Sequence, residues 1–156
     1  MPHLSDNQKR KQEYDFTLSF AGEDREIVEI VRNVLKTNGL RVFYDKDEQY
    51  NLLGKDLAEY FSEIYQEYAR YCVVFISHAY INKPWCKWER QSALARAFNS
   101  KSEYIIPYYI DSDCKIPSIP DTIGRADIKD TSPNDFAIYL VKKFYNDADR
   151  FESVLG

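Results

Sequence analysis

Tyr71-Cys-Val-Val-Phe-Ile76 is the stretch that decides how the rest of this chain reads. Unbroken apolar character, with no polar residue at every second place, describes a strand covered on both faces, as strands of parallel sheets are. Outward from it, strand-like and helix-like patterns alternate. Upstream, Tyr14-Asp-Phe-Thr-Leu-Ser-Phe20 alternates apolar with small polar residues, as a strand does. Glu23-Asp24 then opens a helical stretch with Ile27, Ile30, Val31, Val34 and Leu35 on one face, and Asn38-Gly39 ends it. Leu40 to Tyr44 reads as a second strand, Asp45 to Gly54 as a polar loop. Leu57, Phe61, Ile64 and Tyr68 mark a second amphipathic helix. Downstream, a third helix begins near Pro84, a residue favoured at the first helical position. Tyr104 to Ile110 is a fourth strand, which Pro107 either weakens or places near an edge. A short fifth strand around Ala126-Asp-Ile128 precedes a last helix carrying Phe136, Leu140, Val141 and Phe144.

Alternating β-α units of this kind predict an α/β fold, a three-layer flavodoxin-like sandwich. Its five-stranded parallel sheet should run in the order 2-1-3-4-5, with right-handed crossovers. The chain of 156 residues is long enough for one domain with a real core. Residues 14–148 are taken as that domain, 1–13 as a polar leader or linker and 149–156 as a tail. In such folds ligands sit beyond the carboxyl ends of the strands. That rule selects Phe20–Asp24, Asp45–Lys55, Ser77–Glu89 and Asp111–Asp113 for inspection.

Composition excludes several classes. With 44% hydrophobic residues, five glycines and six prolines, the chain is globular rather than disordered. A net charge of −4 gives no electrostatic reason to expect nucleic acid or an anionic membrane as partner. Cys72, Cys86 and Cys114 are widely spaced, with no Cys-x-x-Cys pair, so neither a disulfide framework nor a metal site is expected, and a reducing cytoplasm is the natural setting. No apolar run reaches the roughly 18 residues of a membrane helix. No glycine-rich phosphate cradle follows any strand. The third strand ends Phe75-Ile76-Ser77-His78, without the acceptor aspartate of a response-regulator receiver, and Ser77 lacks the Gly-x-Ser-x-Gly elbow of a hydrolase.

On the third helix, Trp85, Glu89, Ala93 and Ala97 recur every four residues and so share one face. A carboxylate therefore stands in an otherwise apolar row, about one turn into a helix at the ligand-binding rim. Spacing alone leaves two readings open. Glu89 is either a half-exposed residue favoured by the positive helix end or paired with an arginine, or a buried carboxylate with work to do. Trp85 and Trp88 read as packing residues on the same grounds, Cys86 as a buried small hydrophobe and His78 as a lone surface histidine.

Three stretches, taken together and in order, resemble a known family. They are Tyr14-Asp-Phe-Thr-Leu-Ser-Phe-Ala-Gly-Glu-Asp24, Val42-Phe-Tyr-Asp45, and Val73-Val-Phe-Ile-Ser77 followed by Trp85-Cys-Lys-Trp-Glu89. From Tyr14 to about Phe144 the chain resembles the Toll/interleukin-1 receptor (TIR) domain, in particular its bacterial defence-associated branch. Domains of that branch are commonly NAD glycohydrolases. The resemblance implies that Glu89, in the Trp-Cys-x-x-Glu motif, is catalytic, and that Phe20, Ala21 and Trp85 line the nicotinamide end of a substrate site. More loosely, it implies that Asp45 and Lys55 border a loop that closes over substrate. NAD is then a substrate, with no cofactor. Head-to-tail association with other TIR copies, a fused or separate sensor domain and a role in anti-phage defence are further implications.

Two features depart from the animal receptors and adaptors. Their Arg-Asp-x-x-Pro-Gly loop is replaced by Asp47-Glu-Gln-Tyr-Asn-Leu-Leu-Gly54, without the proline, and their late Phe-Trp box is absent. The missing proline argues against an animal-type docking module, and neither departure touches Glu89. The competing expectations are a non-catalytic scaffold that self-associates or recruits a partner, and a nucleotide-binding sensor without turnover. The resemblance does not say whether the product is linear ADP-ribose or a cyclic isomer.

Overall fold

A computed structural model describes residues 13–44, 56, 69–99, 104–116, 119 and 123–155, with backbone alone at positions 85, 88, 94–99 and 149–155. In chain order the elements are β1 (Tyr14–Ser19), a 3-10 turn (Gly22–Asp24), α1 (Arg25–Thr37), β2 (Val42–Phe43) and β3 (Ala69–Ile76). They continue with α2 (His78–Asn82), α3 (Pro84–Asn99), β4 (Ile105–Tyr109), β5 (Ala126–Asp127) and α4 (Pro133–Leu155). The expected loop and helix between Asp45 and Tyr68, with Asp45 and Lys55 themselves, lie outside the described residues.

The strands form one sheet in the order β2-β1-β3-β4-β5, every neighbouring pair parallel, as the alternating pattern predicts. β3 lies at its centre and is apolar at successive positions because each face packs on a separate core. Cys72, Val74 and Ile76 join a cluster with Tyr80, Cys86 and Ala93 from α2 and α3. Tyr71, Val73 and Phe75 join one with Val28, Val31 and Leu35 of α1 and Phe136, Ala137 and Leu140 of α4. Aromatic pairs thicken the second core: Tyr108 stacks on Phe136 at 4.3 Å between centroids and Phe75 meets both edge-on.

Local chemistry sets the boundaries. Helix α1 stops in a Schellman turn, in which the Gly39 N–H donates to Lys36 O at 3.0 Å and the Leu40 N–H to Leu35 O at 3.1 Å. That turn needs a left-handed residue, which Gly39 supplies with φ of 80°. Leu35 and Leu40 then bury together, pointing the chain straight into β2.

Pro107 lies near an edge, on the strand next to the two-residue β5, and is not disruptive. The Ile110 N–H donates to Ile76 O at 2.9 Å, so residues of that parity face β3, and the Pro107 nitrogen faces the other way. On that side β5 pairs only Tyr108 and Tyr109, so no ladder bond is lost. Among the described residues, no helix is long and apolar enough to cross a membrane.

Two substitutions test the layered core. Leu18→Ala, at a position 1% exposed on β1, should cost about 3 kcal/mol in urea unfolding. Ile30→Ala, 41% exposed on α1, should cost under about 1 kcal/mol. Similar losses from both would contradict the assignment of β1 to the interior.

Candidate active site

Strand alternation decides which β1 side chains meet α3. Phe16, Leu18 and Phe20 enter the core beneath α1 and α4, while Ala21 belongs to the cluster beneath α2 and α3. Ser19 shares Ala21's parity and is fully buried at the carboxyl end of the strand. Its hydroxyl donates to Glu89 Oε2 at 2.6 Å, and its oxygen lies 2.7 Å from the Tyr80 hydroxyl. A serine carries one hydroxyl proton. Given to Glu89, that proton leaves Ser19 to accept from Tyr80, so the chain runs from Tyr80 through Ser19 to the carboxylate. Burial, with the Glu89 charge adding, pushes the Tyr80 phenol well above its ordinary value, which keeps it protonated as the donor.

Glu89 is 4% exposed, with Ala93 fully buried one turn later on the same face. The half-exposed reading therefore fails, and a charge-assisted bond to a buried hydroxyl meets the carboxylate instead. A bond of this type contributes roughly 1.5–3 kcal/mol, a useful fraction of the cost of desolvating the group. The Arg90 guanidinium sits 5.8 Å from the Tyr80 ring centroid, and its Nη1 is buried with no hydrogen-bond partner among the described residues. Another buried carboxylate, Asp15, gives a contrast. It lies at the amino end of β1, where Arg41 Nη2 and the Arg41 N–H donate to it at 2.9 and 2.8 Å. Asp15 is structural, whereas Glu89 stands at the end where ligands bind.

The helix bearing Glu89 is anchored to the exit of β1. The Cys86 thiol donates to the Phe20 carbonyl at 3.4 Å, and Lys83 Nζ pairs with Glu23 Oε1 at 2.8 Å. Short α2, absent from the sequence reading, is capped by Ser77, whose oxygen accepts from the Tyr80 N–H at 3.1 Å. Ser77 also donates to the Asp24 carboxylate, joining the rim of β3 to the turn after β1. Burial holds the Asp24 carboxyl above its ordinary value, the Ser77 bond opposes this, and the charges of Asp111 and Glu23 add to it.

Of the residues singled out in the sequence, Glu89 and Ala21 are brought to one side of the sheet. Trp85 lies on the first turn of α3, one turn before Glu89, with its side chain outside the described set. Phe20 is placed otherwise. Its ring is 3% exposed on the opposite face from Glu89, stacked on Tyr44 at 5.3 Å and capped by the Arg25 guanidinium at 5.1 Å. Tyr44 in turn donates to Glu29 and accepts from Arg25, each at 2.9 Å, and its hydroxyl is pushed up to about 12, mainly by burial. Ser19 and Tyr80 were missed. Parity with Ala21 was a usable signal for Ser19; no local pattern marks Tyr80.

Comparison with known proteins follows the same lines. The chain is 48% identical over 144 residues to the 3′ cyclic ADP-D-ribose synthase AaTIR of Aquimarina amphilecti, covering 92% of this chain and 44% of that protein. It is 31% identical over 99 residues to the 2′ cyclic ADP-D-ribose synthase BtTIR of Bacteroides thetaiotaomicron, covering 63% of this chain and 33% of that protein. It is also 31% identical over 97 residues to the NAD(+) hydrolase TcpC of Escherichia coli O6:H1, covering 62% and 31% respectively. The chain thus spans less than half the length of these relatives. Its fold matches a crystal structure of the TIR domain of the Toll-related receptor TRR-2 from Hydra magnipapillata, with a TM-score of 0.61 at 20% identity, over 88% of this chain and 96% of that one. The family model for the TIR domain matches residues 16–140. The chain belongs to the TIR domain family.

Proposed function

We propose that this domain cleaves the nicotinamide–ribose bond of NAD, with Glu89 as the group that stabilises the ribosyl cation. The observation that carries the reading is a carboxylate buried at the carboxyl-end rim and oriented by the Ser19 hydroxyl, which Tyr80 bonds in turn. The names of the relatives, two cyclic ADP-ribose synthases and an NAD hydrolase, support the same substrate.

The chemistry asks little of the protein beyond electrostatics. Nicotinamide leaves a cationic pyridinium as a neutral base, so no acid is needed to protonate it. Positive charge grows on the ribose as the bond breaks, as in glycoside cleavage. A preoriented carboxylate in a dry site lowers that barrier without having to reorganise. Ser19 contributes by fixing the carboxylate through Oε2. Trp85 is proposed to stack on the nicotinamide and Ala21 to leave room for it, with Asp45 and Lys55 bordering the loop over the substrate. Phe20 is assigned to support from beneath, through its carbonyl and its stack with Tyr44, and not to direct stacking on the substrate.

The ribosyl cation is captured either by water, giving ADP-ribose and a proton, or by a hydroxyl or ring nitrogen of the same molecule, giving a cyclic isomer and a proton. The relative at 48% identity supports the cyclic outcome. We infer that head-to-tail association of TIR copies completes the site through the loop after β2. The same reading has a fused or separate sensor triggering the domain in the bacterial cytoplasm, as part of anti-phage defence.

The test is nicotinamide release from NAD at high protein concentration or with a crowding agent, with products identified by mass spectrometry. Glu89→Gln and Glu89→Ala should each lower the rate by about 100-fold or more. Equal release from wild type and both variants would sink the catalytic reading and leave a scaffold. For Ser19→Ala, kcat should fall by about tenfold with KM nearly unchanged, because orientation matters most in the transition state. Adding Ser19→Ala to Glu89→Gln should cost little more. Full additivity would show that Ser19 does not act through Glu89.

A further inference from the structure

Spacing along the chain gives no hint of a metal site, because His78 and Cys114 belong to different loops. The fold brings them together. His78 opens α2 after β3, and Cys114 lies in the turn after β4, so both stand on the carboxyl-end rim. Cys114 Sγ is 3.3 Å from His78 Nδ1, and on the other side of the ring His78 Nε2 is 3.1 Å from Asp113 Oδ1. The ligand atoms of His78, Asp113 and Cys114 all lie within 4.8 Å of one another. Asp111 holds the segment in place, accepting from the His78 N–H at 2.8 Å.

We propose that Cys114, His78 and Asp113 form a binding site for a thiophilic divalent cation of the zinc class. The geometry fits in detail. Asp113, as a carboxylate, accepts a proton from Nε2, which leaves Nδ1 with its lone pair and makes the Cys114 thiol the donor to it. Replacing that thiol proton by a metal needs no rearrangement of the ring. Zinc bound tetrahedrally to one sulfur at about 2.3 Å and one nitrogen at about 2.0 Å sets the two ligand atoms about 3.5 Å apart, close to the 3.3 Å observed. Asp113 then plays the part of the carboxylate that orients a metal-bound histidine through its second nitrogen, with water completing the coordination. On binding, Cys114 releases its proton to solvent and coordinates as the thiolate.

Electrostatics favours the same occupant. The carboxylates of Asp111 and Asp113 stand beside the pair, bonded to the His78 N–H and to its ring. Those carboxylates oppose a bare thiolate, so the arrangement is a poor nucleophile despite its Cys-His-Asp order. A divalent cation reverses the balance, since the negative groups then face a positive centre. Access is one-sided: the Cys114 residue is 3% exposed, while the His78 side chain is 61% exposed.

Cobalt(II) is the probe, because its bond to a thiolate produces a near-ultraviolet charge-transfer band. Titrating the full chain in reducing buffer at neutral pH should give that band at one equivalent, bleached by zinc. Cys114→Ser should abolish it and Cys72→Ser should leave it intact. His78→Ala, at an exposed side chain, folds irrespective of any metal and should weaken binding by at least tenfold. Asp113→Asn should weaken it by about tenfold. No band in the wild type, or an undiminished band in Cys114→Ser or His78→Ala, would overturn the proposal. The readout is spectroscopic and independent of NAD cleavage.

Discussion

A strand at the middle of a parallel sheet has no face turned to solvent, and each of its side chains must find a partner in one of two cores. In β1 and β3 this constraint is close to absolute. The apolar residues of β3 from Tyr71 to Ile76 divide by parity between the layer of α1 and α4 and the layer of α2 and α3, and Phe16 and Leu18 of β1 join the first. Any polar side chain on such a strand has to be satisfied inside the protein or left at a cost of roughly 1–3 kcal/mol. Ser19 is therefore not a neutral choice. Facing the helix layer that carries Glu89, it meets the carboxylate and the Tyr80 phenol at once, and three polar groups that would each be costly to bury satisfy one another.

The same constraint separates the structural from the functional polar groups. Polar pairs at the amino ends of the strands, such as Asp15 with Arg41, close off the sheet. At the carboxyl ends the loops turn outward, and the polar groups there are linked across elements: Ser77 to Asp24, His78 to Asp111, Lys83 to Glu23. Parallel strands all point their carboxyl ends the same way, so chemistry-bearing residues far apart in sequence gather on one rim. Glu89 with its hydroxyl chain and the His78–Cys114 pair are two products of that gathering.

Much of the fold is legible from the residues because its signals are local and repeat. The apolar run of β3, the one-sided stripe of α1 and the Asn38-Gly39 stop each follow from backbone periodicity or from the conformational freedom of one glycine. Pro107 was harder. Its cost depends on which neighbour its nitrogen faces, and that is a property of sheet order, not of the strand itself. The five-residue α2 is too short to show a period, and only the capping serine marks it.

Glu89 shows where the two kinds of information part. The sequence by itself determined that a carboxylate stands in an apolar helical row one turn from a ligand-binding rim, because helical spacing is a fixed 3.6-residue geometry. Parity along β1 was also written there, and it already separates Phe20 from Ser19. What only the tertiary structure decided is burial and company: that Glu89 is enclosed, that Ser19 donates to it with Tyr80 behind Ser19, and that His78 has a thiol and a carboxylate on its two nitrogens. Those partners are 70, 36 and 35 positions apart for Ser19–Glu89, His78–Cys114 and His78–Asp113. No local rule reaches that far, because contact at such separation is made by the crossing of strands and helices and not by the chain between them.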